Sequence, residues 1–294
     1  MLDITVTGNH HEIGLAVGQQ AAAQVAGSID FYRVLFKAFN DLEWSTVRER
    51  TLEFVPHLKA KFPRYYEEME GIAEGAGVDI LDVVALNIRS EIAFGLFEEN
   101  SRRPMAIAAV DAAVDGCTTL GWKTPGGSTF LSQNWDWKSK QKPNIIILRV
   151  KPRGVPDMDL PAFQMITEAG IIGKIGFNEH GVGCLLNGIR AKGVDPERMP
   201  IHFALPWDWP EDSPKRTARM QELATPEVGK EAGFDTLLEL FKDEQNFPAS
   251  INRKQFGNND SNTIFNVVYN LTERKGVISI GRRTEIEEQI EIGF

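Results

Sequence analysis

The chain has 294 residues, 42% hydrophobic and 25% charged, with 26 Gly and 15 Pro, proportions that fit one or two globular domains with a sizeable core and exclude a disordered, collagenous or coiled-coil chain. Its 32 basic and 41 acidic residues leave a formal charge of -9, and no Lys/Arg block reaches the length of a polyanion-binding patch, so nucleic acid is excluded as a partner. No signal-like start and no apolar run of about 18 residues is present, so the expectation is a soluble cytoplasmic protein without a membrane span.

Residues 11–96 read as a helix-rich third, after a strand-like opening at Ile4 and Val6. Apolar residues recur there at three- and four-residue steps, through Ile13 to Val17 and later Ile80, Val83, Val84 and Ile88. Pro63 suits a first helical turn, Glu67 and Glu68 the positive end of that helix, and Gly75 and Gly77 a turn. Residues 97–113 have the composition of a connection. From 117 onward short β-favouring segments follow at 129–133, 144–150, 162–167, 171–177 and 182–186. Helices are expected at about 214–224 and 232–243, and closing strands at 263–271 and 276–281. This order favours α+β layers over an alternating doubly wound fold.

Two windows carry candidate chemistry. In Asp115-Gly116-Cys117-Thr118-Thr119, a glycine ahead of the thiol leaves its own carbonyl open to attack by Cys117, which would cut the chain. Cleavage would expose a Cys117 α-amine able to serve as base for the thiol. The plainer reading is a small buried hydrophobe. In Gln133-Asn134-Trp135-Asp136-Trp137, Asp136 stands between two indoles and could be held in a partly apolar pocket, or could simply cap a turn.

Together these windows resemble the start of the β-subunit in the isopenicillin N acyltransferase family, the acyl-coenzyme A:6-aminopenicillanic acid acyltransferases. Further matches are Ile13-Gly14, Gly18, Ser28 to Phe31, Pro63 to Glu68, Asn87 to Glu91, Thr167 to Asn178 and Phe265-Asn266. The resemblance implies an N-terminal-nucleophile hydrolase with a four-layer αββα sandwich, whose precursor cuts itself at Gly116–Cys117. The products would be a helix-rich portion, 1–116, and a nucleophile-bearing portion, 117–294, remaining together as one domain. Cys117 would be the nucleophile and would carry the acyl group as a thioester. Asp136 would assist processing, with Asp115, Thr118 and Asn134 in support. The implied partners are a small acyl donor and an amine acceptor. Acyl-coenzyme A is a co-substrate in this reading, and no bound cofactor or metal is implied.

The chain departs from the family at two places. After Ile201 to Leu205 the match jumps to a late segment resembled by Asp212 to Arg216 and Arg219-Met220, leaving a seam near 205–211. The missing stretch would include sheet strands and the family's oxyanion asparagine, and its loss would expose sheet edges. At Asp260 some relatives carry an active-site arginine. The alternative function is therefore a silent or truncated relative that binds acyl ligands or a partner. Gly170, Gly173 and Gly176 are expected in turns and close packing rather than in a dinucleotide site. Cys184 is expected in the core, and the five histidines at surfaces or turns without metal-ligand spacing.

Overall fold

In the computed structural model the described residues are 1–93, 117–154, 159–187, 212–257 and 259–294. The connection expected at 97–113 and the seam near 205–211 lie outside them. Two units are distinguished, the first in the described parts of Met1–Pro104, Lys140–Cys184 and Gly293–Phe294, the second in those of Met105–Ser139 and Leu185–Ile292. The expected cleavage point is a separate division of the chain.

The first unit joins a five-stranded sheet to six helices. Its strands are β1 (Leu2–Gly8), β4 (Ile145–Pro152), β5 (Phe163–Glu168), β6 (Ile175–Asn178) and β7 (Gly183–Cys184), in that spatial order. β1 runs parallel to β4, and the other neighbours pair antiparallel. In β4, Ile145 to Leu148 form an unbroken buried run, as expected of an interior strand. The helices are α1 (His10–Gln20), α2 (Ala22–Asn40), α3 (Trp44–Lys61), α4 (Pro63–Ala76), α5 (Ile80–Asn87) and α6 (Arg89–Ala93).

Local chemistry sets the helix ends. Asn9 accepts from the Glu12 amide at 2.9 Å while Glu12 accepts from the Asn9 amide at 2.9 Å, a reciprocal cap on α1. Pro63 opens α4, whose backbone ends in the left-handed region at Gly77, φ 68°. Gly14 and Gly18 of α1 face Gly71 and Gly75 of α4 so closely that a Cβ on Gly14 would lie 2.0 Å from the Glu68 carbonyl oxygen. Gly75, expected in a turn, is thus a contact residue inside α4. Glu68 lies beyond the first turn of α4 and faces His10 at 3.6 Å. Its carboxyl is pushed above the usual range by burial, against the lowering pull of His10.

Two strand expectations shorten. The strand expected over 171–177 is confined to β6, because Gly170, φ 93°, turns the chain there and residues 171–174 carry no strand pairing. β7 keeps two residues of the five expected, and Cys184 is exposed rather than in the core because it ends this short edge strand.

The second unit holds β2 (Thr118–Lys123), β3 (Thr129–Lys138), β8 (Ser261–Asn270), β9 (Lys275–Arg282) and β10 (Glu285–Gly293) in the order β10-β9-β8-β3-β2. Helices α7 (Asp212–Ala224) and α8 (Phe234–Leu240) supply Met220, Ala224, Leu237 and Leu238 to a core shared with Phe130 and Val268 of the sheet. β10 was not expected. Its Glu-rich sequence is mostly exposed, so only Ile290 and Ile292 report a buried side.

Candidate active site

β2 and β3 pair antiparallel, with Thr118 opposite Asn134 and Thr119 opposite Gln133. Cys117 precedes β2 by one residue, a half-buried thiol. It therefore stands at the end of β3 that carries Trp135 and Asp136. Asp115 and Gly116 lie outside the described residues.

Asn134 is fully buried and acts as a clasp. Its Nδ2 donates to the carbonyls of Phe241 at 3.1 Å and Ile251 at 2.9 Å, and its Oδ1 accepts from Asn266 Nδ2 at 2.8 Å. These bonds tie β3 to the chain after α8. Thr118 Oγ1 and Asn266 Oδ1 are buried without a hydrogen-bond partner among the described residues. On the Thr119 side, Gln133 exchanges two hydrogen bonds with the Leu186 backbone, at 2.6 and 3.1 Å. Asn187 Nδ2 donates to Thr119 Oγ1 at 2.9 Å.

Asp136 does not sit between the indoles. Alternation along β3 sends Trp135 and Trp137 to one side, where their rings stack with centroids 6.1 Å apart, and Asp136 to the other. The pairing with β8 shifts register between Trp135 and Asp136, a bulge that brings Thr263 opposite Asp136. Thr263 Oγ1 donates to Asp136 Oδ1 at 2.7 Å, and Arg253 Nε approaches Asp136 Oδ2 at 3.3 Å. The Arg253 guanidinium also donates through Nη2 to Asp212 Oδ2 at 2.6 Å, while Arg216 contacts the other oxygen of Asp212. Burial pushes the Asp136 carboxyl up to about 6, more than Arg253, Arg216 and the Thr263 hydroxyl pull it down. Such a group can exchange a proton near neutral pH.

Sequence reasoning missed Arg253, Thr263 and the roles of Asp212 and Arg216. The last two carried a weak signal, an Asp and an Arg four residues apart on one helix face. Arg253 carried none. Asp260 lies 3.5 Å from Lys138, whose Nζ donates to Asn259 Oδ1 at 2.6 Å. Among the described residues no cluster of His, Cys, Asp or Glu could hold a metal ion, and no helix is long and apolar enough to cross a membrane.

The model of the acyl-coenzyme A:6-aminopenicillanic acid acyl-transferase family matches residues 122–205 and 209–285, more than half of the chain. The match skips residues 206–208. The acyl-coenzyme A:6-aminopenicillanic-acid-acyltransferase 40 kDa form of Emericella nidulans is 29% identical over 367 aligned residues, which cover 100% of this chain and 96% of the relative. An alignment longer than the 294-residue chain contains positions that this chain lacks. The β-alanyl-dopamine/carcinine hydrolase of Drosophila melanogaster is 22% identical over 201 residues, 67% of this chain and 50% of that protein. On the extent of the family match, the chain belongs to the acyl-coenzyme A:6-aminopenicillanic acid acyl-transferase family.

Proposed function

We propose that this chain is a precursor that cuts itself at Gly116–Cys117 and then works as a cysteine N-terminal-nucleophile acyltransferase or amidohydrolase. The observation that carries this reading is the position of Cys117, a half-buried thiol one residue ahead of β2 at the end of β3 that bears Asp136. In cleavage the thiol gives up its proton and its sulfur attacks the Gly116 carbonyl carbon. The Gly116–Cys117 C–N bond breaks and the nitrogen takes a proton, leaving a free α-amine and a thioester. Water then releases Gly116 as a carboxylate and restores the thiol. In turnover the same sulfur takes an acyl group and passes it to an amine or to water, with the new amine as base.

The two curated relatives bear names of both outcomes, an acyltransferase to 6-aminopenicillanic acid and a hydrolase of β-alanyl-dopamine and carcinine. We take the donor here to be a small acyl compound, with acyl-coenzyme A as one form, and the acceptor to be an amine like 6-aminopenicillanic acid or water. Cytoplasmic residence, a four-layer αββα architecture and persistence of 1–116 with 117–294 belong to the same reading.

Denaturing intact mass spectrometry of freshly expressed protein, beside Cys117→Ala, tests it. Fragments 1–116 and 117–294 are expected only when Cys117 is present. A wild-type chain that stays whole at 32.8 kDa sinks the reading. It would favour a silent family member.

A further inference from the structure

Asp136 and Asp212 compete for one guanidinium. Arg253 lies 2.6 Å from Asp212 through Nη2 but 3.3 Å from Asp136 through Nε. The first is a short charge-assisted bond and the second falls outside that range. Arg216 contacts the remaining oxygen of Asp212. Asp136, Asp212, Arg216 and Arg253 are all 5% exposed or less, so water does little to even out the difference. Asp212 thus bonds to two guanidinium groups, whereas Asp136 bonds to the weaker side of one and to the Thr263 hydroxyl, with Arg216 acting on it through space.

We propose that Asp212 is a positioning residue for the Cys117 chemistry: by holding Arg253 to itself it leaves Asp136 a carboxyl that gives up and takes back a proton. It thereby sets the pH at which Asp136 serves cleavage and acyl transfer. This rests on the reading of Cys117 and Asp136 given above. Among the described residues Arg253 from the segment before β8 and Thr263 from β8 bond to Asp136, Arg216 of α7 acts on it through space, and Asp212 of α7 reaches it through the Arg253 they share. Lys138, farther along β3, is turned to Asn259 and Asp260. Arg282 of β9 donates to the Arg253 carbonyl at 3.1 Å and contacts Glu244.

The sign is unambiguous. Asp212→Asn frees Arg253 to move onto Asp136, which favours the ionised form. Arg216→Gln removes a cation and releases Asp212 to grip Arg253 harder, and both changes disfavour it.

The experiment follows the Asp136 carboxyl by infrared difference spectroscopy of full-length chain carrying 13C-labelled aspartate, each protein measured against its own Asp136→Asn version. The pH profile of cleavage is read in parallel by intact mass. In Asp212→Asn the infrared midpoint and the acidic limb of cleavage are expected to fall together from about 6 by about one pH unit. Asp212→Glu should bring both back. A merely structural role would lower the yield of cleavage without moving its midpoint. If Asp212→Asn does not fold, Arg216→Gln decides, since its midpoint must rise and one that stays or falls overturns the proposal. A wild type uncut at every pH defeats the reading of Cys117 and this proposal with it. A wild type that cleaves with the same midpoint as a folded Asp212→Asn defeats this proposal alone.

Discussion

Glu168 in the first unit and Asp136 in the second are both buried carboxylates in a β-sheet, and they handle their protons in opposite ways. Glu168 ends β5 with Lys174 in contact on Oε2 and Arg89 at 3.8 Å from the same oxygen. The Tyr32 hydroxyl donates to its Oε1 at 2.7 Å and Gln141 Nε2 at 3.0 Å. Burial alone would push Glu168 up, but Lys174, Arg89 and the hydrogen bonds outweigh it and hold the carboxyl below its usual range. Asp136 also feels two cations, Arg253 and Arg216, and accepts from the Thr263 hydroxyl, but here burial outweighs them and carries the carboxyl up to about 6. The difference shows that burial does not settle whether a carboxyl is ionised. The cations nearby, less those drawn to a competing anion, settle it. Glu168 is accordingly a structural anchor between β5 and the helices, whereas Asp136 is suited to proton exchange.

The largest way to break this comparison is Glu168→Gln, which strands Lys174 and Arg89 in the interior and should cost about 3–5 kcal/mol by urea unfolding. A loss under about 1 kcal/mol would mean that water reaches the cations, contrary to their burial. Thr263→Val comes next. It removes the donor to Asp136 and the acceptor of the Arg253 amide at 2.9 Å, so a loss of about 1–3 kcal/mol is expected, with the Asp136 midpoint moved further upward.

Asp136→Asn should slow cleavage by about 100-fold. Its pH dependence sharpens the contrast. In the folded state Asp136 holds its proton up to about 6 against an ordinary 3.8, so it favours folding at low pH and its contribution falls as pH rises through that window. Asp136→Asn should flatten the urea midpoint there. Glu168 works the other way: its stabilisation is present above the ordinary 4.5 and is lost as pH falls below it. Lys37→Ala, on an exposed pair with Asp41 and Glu43, should leave the urea midpoint unchanged, because water screens what burial would magnify.

Much of the architecture was legible because it rests on local chemistry. Ile13 and Val17 mark the buried face of α1, Pro63 marks the start of α4, and the unbroken apolar run of β4 marks an interior strand. β10 was not legible, because one buried isoleucine and one half-buried isoleucine among exposed glutamates leave no strong alternation. The site divides in the same way. Cys117 and Asp136 stood out because their motifs are contiguous, whereas Arg253 reaches Asp136 across 117 residues of sequence and Thr263 across 127.

By itself the sequence determined which residues carry reactive groups, which stretches are helix-rich and which hold most of the strands, and the resemblance to a family of cysteine acyltransferases. Only the tertiary structure decided that Asp136 turns away from its flanking tryptophans, that a bulge sets Thr263 against it, and that it shares Arg253 with Asp212. The physical reason is that a side chain's identity is local, while its protonation depends on desolvation and on charges that the fold gathers from distant parts of the chain.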